Sequence, residues 1–210
     1  MVFDLVFFIS SFVAIFSVVN PFGSIPFFFT MTQNMPREEK LKMLKNSILV
    51  AFAVLLIFGF GGNVIFAIFN INVYVFKIAG GLLLFKIAFD MMHGKYTRSR
   101  LSESERQEIE ERESIGVVPL GVPLLAGPGA ITTVIIYITE KSTNYFEISL
   151  VVVSIVLTMA ISYILLYFSE FFFKYLGKTG NQILSRIFGL ILAAMAVEFV
   201  VEGIKDLFLT

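Results

Sequence analysis

Val18-Val19-Asn20-Pro21-Phe22-Gly23-Ser24-Ile25-Pro26 is the stretch whose reading decides the fold of this chain. It sits inside a run with no charged residue from Leu5 to Pro36. As one straight helix that run would be about 48 Å long at 1.5 Å per residue. The hydrocarbon core of a bilayer is only about 30 Å thick. The helix therefore has to break or fold back, and the stretch says where. Pro21 and Pro26 have no N–H, and each clashes with the carbonyl four residues back. Asn20 can cap a helix that restarts after it, with Pro21 at the first helical position. Broken backbone at membrane depth is tolerated only where protein buries it or a cavity is lined by it. A break here is thus a candidate binding site.

The same device recurs in the second half of the chain. Gly116-Val117-Val118-Pro119-Leu120-Gly121-Val122-Pro123-Leu124-Leu125-Ala126-Gly127-Pro128-Gly129-Ala130 lies in a second charge-free run, Ser114 to Thr139. Five of the six prolines fall in these two stretches. Interrupted helices at corresponding places in two halves of a chain point to the substrate site of a transporter.

Composition agrees with a membrane-embedded chain. The 210 residues are 57% hydrophobic, with a mean hydropathy of +0.87. An ordinary soluble domain cannot hide that much apolar surface, whereas lipid solvates it. Net charge is zero and no broad basic face is evident, so nucleic acid is not an expected partner. Cysteine is absent, which removes disulfides and thiolate metal sites. The Met1-Val2-Phe3-Asp4 start lacks the basic region of a signal peptide, so the first segment reads as a retained span.

The expected fold class is an all-α integral membrane protein with six transmembrane helices, the first and fourth discontinuous. The spans read as Phe3 to Thr30, Asn46 to Phe69, Val73 to Met92, Ile115 to Thr139, Phe146 to Phe173 and Ile183 to Leu209. Before the second span, Asn34-Met35-Pro36-Arg37-Glu38-Glu39-Lys40 carries a helix-start pattern. It predicts a short amphipathic helix at the interface. Residues 94–114 form the one long hydrophilic segment and read as a solvated linker helix. Ser102-Glu103-Ser104-Glu105 in it fits a capping box, and Arg106/Glu110 fits a helical charge pair.

Twelve lysines and arginines fall in the first, third and fifth loops, against Lys77, Lys141 and Lys205 on the other side. The positive-inside rule then puts the charged linker in the cytoplasm and both termini outside, in a cell (inner) membrane. Three spans per half make two homologous halves lie in opposite orientations. Lys77-Ile78-Ala79-Gly80-Gly81-Leu82-Leu83-Leu84 aligns without gaps on Arg186-Ile187-Phe188-Gly189-Leu190-Ile191-Leu192-Ala193, and Pro21 aligns nearly in register with Pro128. The division expected is a three-helix repeat over 1–93, the linker over 94–114, and an inverted repeat over 115–210.

Asn20-Pro21-Phe22-Gly23, Ala79-Gly80-Gly81 and Gly127-Pro128-Gly129-Ala130-Ile131-Thr132 together resemble the MarC family of multi-pass membrane proteins, whose motif is Asn-Pro-x-Gly. The resemblance covers essentially the whole chain. It implies secondary transport of small neutral amino acids such as glycine and alanine, as described for archaeal members, with the broken helices as the site. The second motif opens Ala126-Gly127 where the first has Val19-Asn20, so the two halves cannot contact a substrate identically.

A zwitterion near the midplane needs donors for its carboxylate and acceptors for its ammonium. The start of a half-helix offers free N–H groups and partial positive charge, and the end of the preceding half offers carbonyls. Neither motif contains a charged side chain. The residues assigned to substrate are Asn20, Pro21, Phe22, Gly23 and Ser24 in the first break. In the second they are Gly127, Pro128, Gly129, Ala130, Thr132 and Thr133. Phe22 would wall off large side chains. The plain alternative is a kink that only helps helices pack.

Glu198, deep in the sixth span, is the candidate for coupling to a proton or sodium ion, since acids at that depth are functional by default. An outer interfacial cluster with Glu202, Lys205 and Asp206 is its plain alternative. Lys86 and Asp90, four apart, fit an interfacial pair, and His93 fits a solvated boundary position. No His-Glu-x-x-His or Gly-x-Ser-x-Gly motif occurs, so neither catalytic residues nor metal nor cofactor are expected. A passive channel or facilitator, or a membrane protein of export or stress function without amino acid specificity, is the competing reading. The expected partners are the amino acid, the coupling ion and lipid, and a second copy of the chain is compatible with them.

Overall fold

A computed structural model describes residues 2–32, 35–93, 125–140 and 144–209. Among them there is helix and no strand. The helices are α1 (Val2–Val19), α2 (Pro21–Thr32), α3 (Arg37–Phe69), α4 (Val73–Met92), α5 (Pro128–Glu140), α6 (Tyr145–Tyr167) and α7 (Ser169–Leu209). The expected linker helix, and the part of the fourth span before Leu125, lie outside the described residues.

Among the described residues, four segments are long and apolar enough to cross a membrane: Leu5–Ile25, Arg37–Gly62, Tyr145–Tyr167 and Gln182–Phe208. Pro128–Thr139 is a shorter apolar helix. Helix α4 has 20 residues but carries Lys77, Lys86 and Asp90, which lowers its apolar character. Large side chains such as Ile57, Ile68, Leu190 and Val201 stand exposed on the outer faces. An apolar exterior of this kind suits lipid and not water.

The helix ends follow local chemistry. Helix α3 is one continuous element of 33 residues, not the separate interfacial helix and span that the sequence suggests. No glycine or proline lies between Arg37 and Phe58, so propagation costs nothing extra across the change from charged to apolar residues. Glu38 and Glu39 occupy its first turn, against the positive end of the helix dipole. It begins after Pro36 without a side-chain cap, and Asn34, expected as the cap, lies outside the described residues. At its far end Asn70 is left-handed, at φ 51°, and closes the last turn. Asn72 then caps α4 by accepting the N–H of Tyr74 at 2.8 Å. Asn144 caps α6 in the same way through Phe146 and Glu147.

The fifth span was expected to run to Phe173, but α6 ends at Tyr167 and α7 starts at Ser169. Ser169 and Glu170 are a helix-start signal inside what looks like one apolar run. The first part of α7 is bent away from the rest at Gly177, whose φ of 60° a residue with a Cβ rarely adopts.

The directions of the helices can be read from paired contacts. Ser10 meets Tyr137 at 3.0 Å, and Val18 lies against Gly129, so α1 and α5 are antiparallel. In the α4–α7 pair, Tyr74 faces Gly203, Gly81 faces Ala196, and Ala88 faces Gly189. Each series recurs every seventh residue, two helical turns, on one stripe. A Cβ on Gly81 would come within 2.7 Å of Ala196 O. Small residues there let the two backbones approach closely, as in helix pairs within membranes. Helix α2 packs on α6 and α7, α5 packs on α3 and α4, and α3 also touches α6.

Candidate binding site at the helix breaks

The break between α1 and α2 consists of a single residue. Asn20 is left-handed at φ 47°, a conformation asparagine tolerates better than most residues. Its N–H closes the last turn of α1 onto Phe16 O at 2.9 Å. Pro21 follows at the first position of α2, where its missing N–H costs nothing. Asn20 Oδ1 accepts the N–H of Gly23 at 3.1 Å, which is the bond an N-cap makes. Its carbonyl accepts the Ser24 N–H at 3.3 Å and the Ser24 hydroxyl at 3.2 Å. One residue thus ends one helix with its backbone and caps the next with its side chain, and it is 1% exposed.

Helix α7 holds that side chain from the other half of the chain. Ser185 Oγ lies 3.4 Å from both Asn20 Nδ2 and Asn20 Oδ1, accepting from the first and donating to the second. Phe22 stacks on Phe188 with ring centroids 5.7 Å apart, and Phe16 meets both rings edge-on. Ser185 and Phe188 were missed in the sequence. A serine in an apolar helix is a weak signal, and a partner 165 positions away is not written in local pattern.

Helix α5 starts in the corresponding way, with Gly127 before Pro128. The carbonyl of Gly127 accepts the Ile131 N–H at 3.1 Å, and Thr133 Oγ1 donates to Gly129 O at 2.8 Å. A Cβ on Gly129 would come within 2.9 Å of Val18 Cγ1 and 3.4 Å of Leu84 Cδ2. The start of α5 therefore abuts the end of α1. Thr132 packs its methyl against Gly80 of α4.

Of the residues assigned from sequence, Asn20, Pro21, Ser24, Gly127, Gly129, Ala130, Thr132 and Thr133 are buried, Phe22 and Gly23 are half-buried, and Pro128 is exposed. Glu198 is elsewhere. It is exposed on α7 between the exposed Val197 and Val201. It lies 13 residues from Ser185, about 20 Å of helix. Among the described residues no ion pair joins Lys86 to Asp90. His93 is exposed and sits at the end of α4 with Nδ1 2.8 Å from Phe89 O. Two ion pairs tie other elements together: Lys77–Glu202, at 2.6 Å between α4 and α7, and Lys40–Glu170, at 2.7 Å between α3 and α7. The Lys40 ammonium, through its hydrogen bond and then its charge, holds the Glu170 carboxyl below the ordinary glutamate range.

Long apolar helices packed around a buried polar break define an integral membrane protein. The comparison with known families makes this specific. Residues 5–208 match the MarC family integral membrane protein, and the chain belongs to that family. It is 39% identical to the UPF0056 membrane protein MJ0972 of Methanocaldococcus jannaschii, over 96% of this chain and 88% of that one. It is 37% identical to the UPF0056 membrane protein YhcE of Escherichia coli, over 98% and 95%. It is 32% identical to the UPF0056 membrane protein YvbG of Bacillus subtilis, over 96% of each chain. No solved structure matches.

Proposed function

We propose that this chain is a secondary transporter of small neutral amino acids of the glycine and alanine type, coupled to a proton or sodium ion. The substrate would sit where the end of α1, the start of α2 and the start of α5 meet. The observation that carries this reading is the contact of Gly129 with Val18. It brings the positive end of one helix against the negative end of another without a charged side chain in either motif. A zwitterion has the complementary charges. Phe22, Phe16 and Phe188 pack together beside the break and would bar a large side chain. The resemblance to archaeal family members described as small neutral amino acid transporters points the same way.

The inverted repeat belongs to this proposal. Exchanging α2 with α5, α3 with α6 and α4 with α7 maps the contacts of α2 with α6 and α7 onto those of α5 with α3 and α4. The antiparallel α4–α7 pair maps onto itself. Two halves of opposite orientation around a central site are the architecture that alternating access uses. Arg37, Lys40 and Lys42 at the start of α3 gather with Lys174 of α7 at one end, joined by the Lys40–Glu170 pair. We take that end as cytoplasmic and the membrane as the cell membrane, with both termini outside.

Uptake into proteoliposomes tests the reading. Labelled glycine should accumulate saturably under an imposed proton or sodium gradient and be competed by alanine. Gly23→Leu should abolish it, because a Cβ there already comes within 2.9 Å of Asn20 Cγ and 3.1 Å of Ser185 Oγ. Non-saturating flux that ignores the gradient would instead identify a passive pore.

A further inference from the structure

The last turn of α1 contains a buried polar group that the break does not use. Ser17 is 0% exposed, and its hydroxyl has no hydrogen-bond partner. A buried hydroxyl without a partner is costly, and most such serines bond back to their own helix. Ser17 has a second unmet group. In a continuous helix its carbonyl would accept the N–H four residues on, but that residue is Pro21, which has none. Two residues later, the Gly23 N–H that would serve the Val19 carbonyl is given to Asn20 Oδ1 at 3.1 Å. Val19 is also 0% exposed. Three oxygens without their usual donors, Ser17 Oγ, Ser17 O and Val19 O, therefore belong to the last turn of α1, toward the negative end of its dipole.

The direction of the Ser17 side chain follows from the register. Ser17 is seven residues from Ser10, so both lie on one stripe of α1. Ser10 bonds to Tyr137 of α5, and the stripe faces α5. Next to Ser17, Val18 touches Gly129 in the first turn of α5. The Ser17 hydroxyl thus faces α5, near the start of that helix, where free N–H groups and partial positive charge favour an anion.

We propose that Ser17 Oγ, Ser17 O and Val19 O form the seat of a primary ammonium group, with Ser17 a substrate-binding residue. This rests on the transport reading above and deepens it. Pro21 acquires a second task, keeping a donor away from Ser17 O. All three oxygens are uncharged, which suits a monovalent cation and not a divalent one. The seat demands N–H donors, so it selects amino acids with a free ammonium and rejects their N-methylated or deaminated counterparts.

The test is ligand-dependent thermal stability of the purified full-length protein, since a ligand that binds the folded state raises the melting temperature. Glycine should raise it in the wild type, while trimethylglycine and acetate should not. Ser17→Ala should increase the glycine concentration for half-effect by about tenfold, the worth of one hydrogen bond to a charged group. Ser17→Thr should restore it. Ligand-free Ser17→Ala should melt no lower than wild type, because it removes an unpartnered hydroxyl, which separates a binding role from a structural one. Glycine acting equally on Ser17→Ala and wild type overturns the assignment and leaves the transport reading intact. Sodium chloride without glycine, raising the melting temperature over choline chloride in a Ser17-dependent way, would give the seat to a metal ion and also overturn it. A wild type indifferent to glycine, alanine and serine overturns both readings.

Discussion

Asn20 concentrates in one residue what a break in a membrane helix requires. It takes a left-handed backbone, caps α2 and reaches Ser185 across the molecule. Each task has its own energy, and substitutions can separate them. Asn20→Gly keeps the backbone conformation and loses the cap and the link. Asn20→Ala loses all three, at about 1 kcal/mol for the cap and a further 1–2 kcal/mol or so for the strained backbone. Equilibrium unfolding of both variants should therefore place Asn20→Ala below Asn20→Gly by about 1 kcal/mol. Equal stability would mean that the left-handed turn costs nothing here. This residue was legible in the sequence because Asn-Pro in a charge-free run leaves few other structures. Ser185 was not, because nothing near Arg186 in the chain announces a hydrogen bond to the opposite half.

At the scale of elements, the seam between α4 and α7 is where close packing matters most. Gly81 sits against the backbone of Ala196, so even a methyl group forces the helices apart. Gly81→Ala should cost about 1–3 kcal/mol, the usual range for overpacking. Gly61, where a Cβ meets nothing within 4 Å, is the control, and Gly61→Ala should be neutral or slightly stabilising. Thermal unfolding in detergent reads both. The sequence shows the small residues of α4 and α7 and even aligns them, but it does not say that they face each other. The element boundaries that sequence reading missed share one cause. It divided α3 where polarity changes and joined α6 to the start of α7 where polarity does not. Helices follow backbone geometry: Pro36 precedes the start of α3, Phe168 separates α6 from α7 and Gly177 bends α7, whereas Lys45-Asn46 lies inside α3.

For the whole molecule, the ends of the bundle make two separable predictions. The first is pH-dependent. Glu170 is held below its ordinary pKa by Lys40, so the stability it lends is complete above the ordinary glutamate range. That stability drains away as the pH falls through the depressed value. The Glu170 side chain is 68% exposed, and screening limits the pair to at most about 1 kcal/mol. Comparing unfolding midpoints at neutral and strongly acidic pH, wild type should lose up to that much more than Glu170→Gln. The second is topological. Cysteines placed one at a time in this natively cysteine-free chain should react with an impermeant reagent in intact cells at Asn72, between α3 and α4. At Ser102, in the charged linker, they should not. The reverse pattern would invert the bundle. That so apolar a chain lies in a membrane was plain from composition. Which end faces the cytoplasm rests on twelve cations against three.

The single-residue junction at Asn20 also has a mechanical consequence. A connection of many residues has slack, and the helices on either side of it move independently. Here α1 and α2 share one pivot with no slack at all, and α7 grips that pivot through Ser185 and Phe188. Any tilt of α2 must then swing the end of α1 or drag α7 with it. The junction behaves as a lever whose fulcrum is an asparagine, and inserting one glycine after Asn20 would disconnect the two arms while leaving each helix whole.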